Sequence, residues 1–235
     1  MATCLLVRHG HSDGNAAGVL SGRTPGVLLT DRGRDEVESL AMALSGAPLV
    51  RLVSSPLERC VATAEAIAAD RDGLTVETDE RLVECGYGAW TGLPLTELVE
   101  DPLWRVVQDR PEDARFPASD TYVAESVAEM AARAVAAVRG LDAEVEATYG
   151  PRAAWVAVSH GDLLKAVVGE AAGSPLRTFQ RIVVEPASVA VVRFTPERPF
   201  LLGLNTDAGR VAALIAAHAS AGHDATPGGS TGEGS

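Results

Sequence analysis

The sequence predicts an α/β fold: a three-layer sandwich in which a mostly parallel central sheet carries helices on both faces and has an antiparallel edge. Three observations predict it. Residues 4–7 and 154–158 are unbroken apolar runs of the kind buried on both sides, and residues 49–53 repeat the pattern around Arg51. Stretches with helical spacing of apolar residues lie between these runs. Two further apolar segments, 189–194 and 200–204, are separated by Pro196 and Pro199, as a closing hairpin or pair of edge strands would be.

In chain order, the first strand at 4–7 breaks into the polar loop Arg8-His9-Gly10. Thr30 can cap a helix in which Val37, Leu40, Ala41 and Leu44 recur at i, i+3, i+4 and i+7, and Gly46 and Pro48 stop it. After the second strand, Ser54-Ser55-Pro56 opens a helix with Pro56 in its first turn and Ala62, Ala66 and Ala69 as a small-residue face. A weak strand at 74–76 leads to a loop rich in glycine and aromatic residues at 84–92. Pro94, Pro102, Pro111 and Pro117 then punctuate short helices and loops. From 126 to 145 the stripe Val127, Met130, Ala131, Ala134, Val138 and Leu141 predicts the longest helix. The strand at 154–158 runs into Ser159-His160-Gly161-Asp162, and Leu163, Leu164, Val167 and Val168 mark the next helix. There is no internal repeat. The expected organisation is one catalytic domain over 1–215 and a disordered tail over 216–235, where small and polar residues leave too little apolar surface to order the chain.

Composition narrows the function. A chain of 235 residues, 46% apolar, suits a single core, and a formal charge of -12 disfavours nucleic acid and anionic lipid as partners. Lys165 is the only lysine, so positive charge is delivered mainly as guanidinium, which grips phosphate with paired bonds. Cys4, Cys60 and Cys85 are odd in number and widely spaced, which reads as reduced, buried thiols and not as a disulfide framework or zinc site. Met1-Ala2-Thr3 runs into the first strand with no basic leader, and no apolar stretch approaches the roughly 18 residues that span a bilayer. A cytoplasmic protein is expected.

Loops at the carboxyl ends of strands converge in open α/β sheets. Here those ends deliver Arg8, His9 and Gly10, then Ser54, Ser55 and, one turn on, Arg59, then Ser159, His160 and Gly161. Two arginines, two histidines and helix N-termini make a positive pocket in an acidic protein, suited to a tetrahedral dianion such as phosphate. A neutral imidazole is a good nucleophile toward phosphorus, and water can break the resulting phosphoramidate.

The run Leu6-Val7-Arg8-His9-Gly10 with Asn15, then Ser54-Ser55-Pro56-Leu57-Glu58-Arg59-Cys60 with Thr63-Ala64-Glu65, Arg81-Leu82-Val83-Glu84 with Gly86-Tyr87-Gly88-Ala89-Trp90-Thr91-Gly92, and Ser159-His160-Gly161 resemble, in order, the blocks of the histidine phosphatase superfamily. That superfamily includes cofactor-dependent phosphoglycerate mutases, and the resemblance implies a phosphoglycerate mutase-like fold. It also implies that His9 takes the phosphoryl group while Arg8, Arg59 and His160 hold its equatorial oxygens, with Asn15 assisting. Glu84 matches the general acid. Ser21, Gly22 and Arg23 match a loop that touches substrate, and Gly161 joins the substrate-binding set. The expected reaction is hydrolysis of a phosphate monoester of a small metabolite through a phosphohistidine, with no metal, no cofactor and no nucleic acid or membrane partner. A homodimer is compatible with the sequence. The alternative is a phosphoglycerate mutase or other phosphomutase using the same site.

Departures from the family favour hydrolysis. The stretch 93–122 is short, and its Arg105, Arg110 and Arg115 match no mutase pattern. Relatives often carry Phe-Pro-Gly-Gly-Glu-Ser where this chain has Phe116-Pro117-Ala118-Ser119-Asp120-Thr121-Tyr122, with Glu125-Ser126 arriving late, and His11 replaces another polar residue. Rival readings are a metal site on His9, His11, His160, Glu84 and Asp162, opposed by the adjacent arginines, and a serine hydrolase, opposed by the missing GxSxG elbow. A phosphate- or phosphopeptide-binding module is a third, which would need neither nucleophile nor acid. Tyr87, Trp90 and Trp104 read as packing residues.

Overall fold

The computed structural model describes residues 2–206 and 211–218. Among these, one mixed sheet holds six strands: β1 (Thr3–Arg8), β2 (Leu49–Ser54), β3 (Val76–Thr78), β4 (Ala154–Ser159), β5 (Val189–Phe194) and β6 (Pro199–Thr206). Their order is β3-β2-β4-β1-β5-β6. The first four run parallel, β5 is antiparallel to β1, and β6 returns antiparallel to β5 as the predicted hairpin edge.

Side chains alternate across the pleat into two apolar layers. Leu5, Val7, Leu52, Val156 and Val158 pack against α2 (Asp31–Leu44), α3 (Glu58–Ala68) and α8 (Val211–His218). Cys4, Leu6, Val53, Trp155 and Ala157 pack on the opposite face, against α6 (Val127–Tyr149) and α7 (Gly161–Ala171). Between α3 and α6, only β3 is sheet, and the short helices α4 (Leu95–Leu98) and α5 (Pro102–Asp109) lie in long connections.

The caps follow the sequence signals. Thr30 Oγ1 accepts from Gly33 N at 3.1 Å to start α2, whose Val37, Leu40 and Leu44 are buried. Ser126 and Glu129 form a reciprocal capping box that opens α6, and this helix runs past the expected 145 to Tyr149.

Other boundaries differ for physical reasons. Helix α3 starts at Glu58, so Pro56 stands before it and not in its first turn. Ser55 N still donates to Val158 O at 2.9 Å, which carries the sheet bonding one residue past β2 before the chain bends at Pro56. The delay rotates the helix: Cys60, Thr63, Ala64 and Ile67 are buried, while Ala62 and Ala69 are exposed. The weak strand pairs two residues later than expected, at Val76–Thr78. Helix α8 crosses the expected tail boundary at 216, and residues 219–235 lie outside the described residues. No helix among the described residues is long and apolar enough to cross a membrane.

Candidate active site

Strand β4 sits between β1 and β2, so three loops leave the same sheet end side by side. Arg8 pairs in register with Ser159, and His9 N continues the ladder to Ser159 O at 3.1 Å. The loop bearing His9 is held from below by α3, because Gly10 N donates to Thr63 Oγ1 at 3.2 Å and Thr63 Oγ1 donates to Arg59 O at 2.8 Å. It is held from the side by α2. A Cβ on Gly33 would lie 1.9 Å from His11 O, so only glycine permits this approach.

The His9 imidazole is buried and oriented. Its Nδ1 lies 2.7 Å from Gly10 O, an acceptor only, so Nδ1 carries the proton and Nε2 carries the lone pair. Arg59 Nε donates to that lone pair at 3.3 Å. Burial, then the guanidinium of Arg59, lowers the His9 pKa to about 3, so the ring stays neutral at ordinary pH.

Arg59 is also anchored: its Nη2 donates to Gly22 O at 2.7 Å and approaches His160 Nδ1 at 3.1 Å. Gly22 has φ +50°, and a Cβ there would meet Tyr87 at 2.9 Å, which explains the glycine. Arg8 Nη1 donates to Val184 O at 2.8 Å. Arg8 Nε and Arg59 Nη1 are buried donors with no partner among the described residues. Buried guanidinium donors left unpaired are costly, and an anion in the adjoining cavity would satisfy them.

That cavity has a volume of about 290 Å³. Of the expected residues, Arg8, His9, Asn15, Ser21, Gly22, Arg59, Glu84 and Gly161 line it. Asn15 Oδ1 is occupied by Ser12 N and Ser12 Oγ in the cap of α1 (Asp13–Ala17), which leaves its Nδ2 out of that cap.

Two expected residues lie elsewhere. His160, expected among the phosphate ligands, is fully buried 5.3 Å from the His9 ring, with Nδ1 facing Arg59 and Nε2 donating to Ser55 Oγ at 2.8 Å. It meets the cavity lining at both His9 and Arg59. Arg23, expected to touch substrate, donates instead to Glu84 O and to Glu125 Oε2, both at 2.7 Å, and does not line the cavity. His11 also turns away, its Nδ1 2.9 Å from Thr30 Oγ1.

Glu84 is buried at the cavity wall. Its Oε1 accepts from Cys85 N at 2.9 Å, and Oε2 is 3.5 Å from Asp162 N. Burial first, then the neighbouring Asp162 carboxylate, raises its pKa above the ordinary carboxyl range, so it can hold a proton for a departing oxygen. The backbone of this segment is clamped by Arg23 and Arg133, which both reach Glu84 O and both pair with Glu125.

Sequence reasoning did not single out Glu125 or Arg133 as supports, nor Lys165, Gln108 and Gln180 as cavity residues. The one available signal was that Lys165 is the only lysine and stands one turn after Ser159-His160-Gly161. Tyr87, Trp90 and Trp104, read as packing, also line the cavity, together with Phe116.

Comparison with known proteins identifies the family and the fold. The sequence model of the histidine phosphatase superfamily (branch 1) matches residues 4–207. Phosphoserine phosphatase 1 of Hydrogenobacter thermophilus is 31% identical over 209 residues, covering 87% of this chain and 92% of that protein. A probable phosphoglycerate mutase GpmB of Yersinia pestis is 32% identical over 203 residues, covering 86% and 88%. The crystal structure of a phosphoserine phosphatase from Entamoeba histolytica with 3-phosphoglyceric acid superposes with a TM-score of 0.75 at 24% identity, covering 88% of this chain and 98% of that one.

Proposed function

The chain belongs to the histidine phosphatase superfamily, and from that premise we propose that it hydrolyses the phosphate monoester of a small metabolite through a phosphohistidine formed on His9 Nε2. The observation that carries the reading is the neutral His9 whose lone-pair nitrogen faces Arg59 beside two unpartnered guanidinium donors. A bound phosphoryl group takes those donors through its equatorial oxygens, and Arg59 turns from Nε2 to the ligand. Nε2 then attacks phosphorus in line. The N–P bond forms as the P–O bond to the alcohol breaks, and Glu84 gives its proton to the departing oxygen. In the second half, the Glu84 carboxylate takes a proton from water, the oxygen of that water attacks phosphorus, and the N–P bond breaks to return neutral His9 and phosphate. His160 keeps Arg59 in position, and no step needs a metal ion. Action in the cytoplasm is part of the same proposal.

The mutase alternative needs a clamp for the carboxylate of the sugar acid. Arg110 instead pairs with Asp113, Arg115 pairs with Glu129, and neither they nor Arg105 lines the cavity. Hydrolysis is thus better supported. His9→Ala should abolish phosphate release from a chromogenic aryl phosphate and the acid-labile label on the protein, and turnover by this variant would refute the assignment. Chelator should leave the wild type active. Conversion of 3-phosphoglycerate with a bisphosphate primer would favour the mutase.

A further inference from the structure

The cavity that holds His9 must also receive the alcohol part of the ester, and its lining is uneven. Val19, Leu20, Leu95, Trp104 and Val107 are its apolar members, with Gln108 and Gln180 as neutral polar ones. Leu95 is 39% exposed and Trp104 is half-buried, so apolar surface faces the opening. The Trp104 ring is backed by Trp90, with centroids 6.4 Å apart, and Trp90 is fixed because its Nε1 donates to Asp101 Oδ2 at 3.0 Å. The apolar wall is therefore backed by a hydrogen-bonded ring.

The ammonium in this lining is spent within the protein. Lys165 Nζ donates to Asp162 Oδ1 at 3.1 Å and to Gln180 Oε1 at 3.2 Å. Asp162 Oδ2 in turn accepts from Tyr87 at 2.9 Å. Arg8 and Arg59, the other cationic chains of the cavity lining, face the phosphate end. A carboxylate or ammonium on the leaving alcohol would have to shed its hydration beside an apolar wall where, among the described lining residues, the only unpartnered charged donors are those of Arg8 and Arg59 taken by the phosphate. An uncharged ring or alkyl group would gain from the same wall by leaving water.

We propose that Trp104 and its apolar neighbours determine specificity, selecting phosphate monoesters of uncharged alcohols with an apolar or ring face over those of amino acids and hydroxy acids. The inference rests on the phosphatase reading and narrows it. It separates this chain from the substrates named for the phosphoserine phosphatases it resembles.

The test is steady-state kinetics of the wild-type chain on benzyl phosphate, O-phosphoserine and 3-phosphoglycerate, with a chromogenic aryl phosphate as control. The expected result is a kcat/KM for benzyl phosphate about tenfold or more above that for phosphoserine, the size of discrimination available to an apolar pocket. Trp104→Ala should lower the ratio of the two about tenfold, through KM for benzyl phosphate, and Trp104→Leu should restore part of it. Equal or better turnover of phosphoserine by the wild type overturns the inference, and that comparison holds even where the alanine variant fails to fold. A Lys165→Met variant that loses phosphoserine turnover selectively overturns it too, since the ammonium would then be available to substrate. Turnover of aryl phosphate with the reverse preference leaves the phosphatase reading standing, whereas no turnover of any monoester removes both.

Discussion

At the scale of single residues, two titrations divide the pH axis. His9 is neutral down to about pH 3, so it sets no acid limb in the ordinary range. Glu84 must be protonated to assist departure in the first half of the proposed reaction, and its pKa is raised, so kcat/KM should hold on the acid side and fall as pH rises through that raised value. Rate measurements on an alkyl monoester across pH check this. Glu84→Gln should lower kcat by about 10²–10⁴ and remove the alkaline fall. Stability runs the other way. His9 and His160 both have pKa values below the roughly 6.5 of an unfolded histidine. The folded state therefore binds fewer protons, and their contribution is present above about pH 6.5 and lost as pH drops toward 3. Thermal melts between pH 7 and 4 should show falling Tm, with a shallower fall in His9→Asn. Residue identity told most where the signal is local: Arg8 and His9 stand at the end of an apolar strand run, Arg59 and Glu84 stand out through their places in the family blocks, and all four line one cavity. Arg23 was not, because its partner Glu125 is 102 residues away and nothing in the local run names it. Trp104 and Lys165 share a wall only after the whole middle section has folded.

At the scale of elements, the catalytic loop depends on contacts that side-chain chemistry alone would not suggest. Gly33→Ala would force the start of α2 away from His11, and overpacking of this kind costs about 1–3 kcal/mol. Lower Tm together with reduced kcat is the expected outcome, and an unchanged kcat would mean that α2 does not position the loop. Thr63→Val removes the hydroxyl that links Gly10 N to Arg59 O and leaves a buried amide unsatisfied, at about 1–3 kcal/mol. Denaturant unfolding measures that loss. Strands were the most readable elements, since β1, β4 and β5 are apolar on both faces and burial dictates such runs. Helix α3 was misphased because alanines fit either face and Pro56 fits either a turn or a first helical position. The deciding bond, Ser55 N to Val158 O, joins segments far apart in sequence.

At the scale of the whole molecule, the three-layer alternation was legible, but the placement of β4 between β1 and β2 was not. Sheet order is a pairing of distant segments, and β1, β4 and β5 are all apolar enough to pair with one another in any order. The two layers also seal the thiols. Cys4 and Cys85 lie in one core and Cys60 in the other, all free and buried, and burial pushes the Cys60 thiol up to about 12. A thiol reagent should therefore label the native chain no faster than it unfolds globally, and rapid labelling of any one cysteine would reveal local opening.

The proposed nucleophile directly follows an interior strand gripped from both sides, whereas the wall proposed to meet the alcohol comes largely from connections that add no strand to the sheet. Engine and mouth are thus built from separable material. Substitutions at the mouth can drift from one clientele to another without loosening the machinery that breaks the ester, and repertoire in this scaffold should diverge far faster than chemistry.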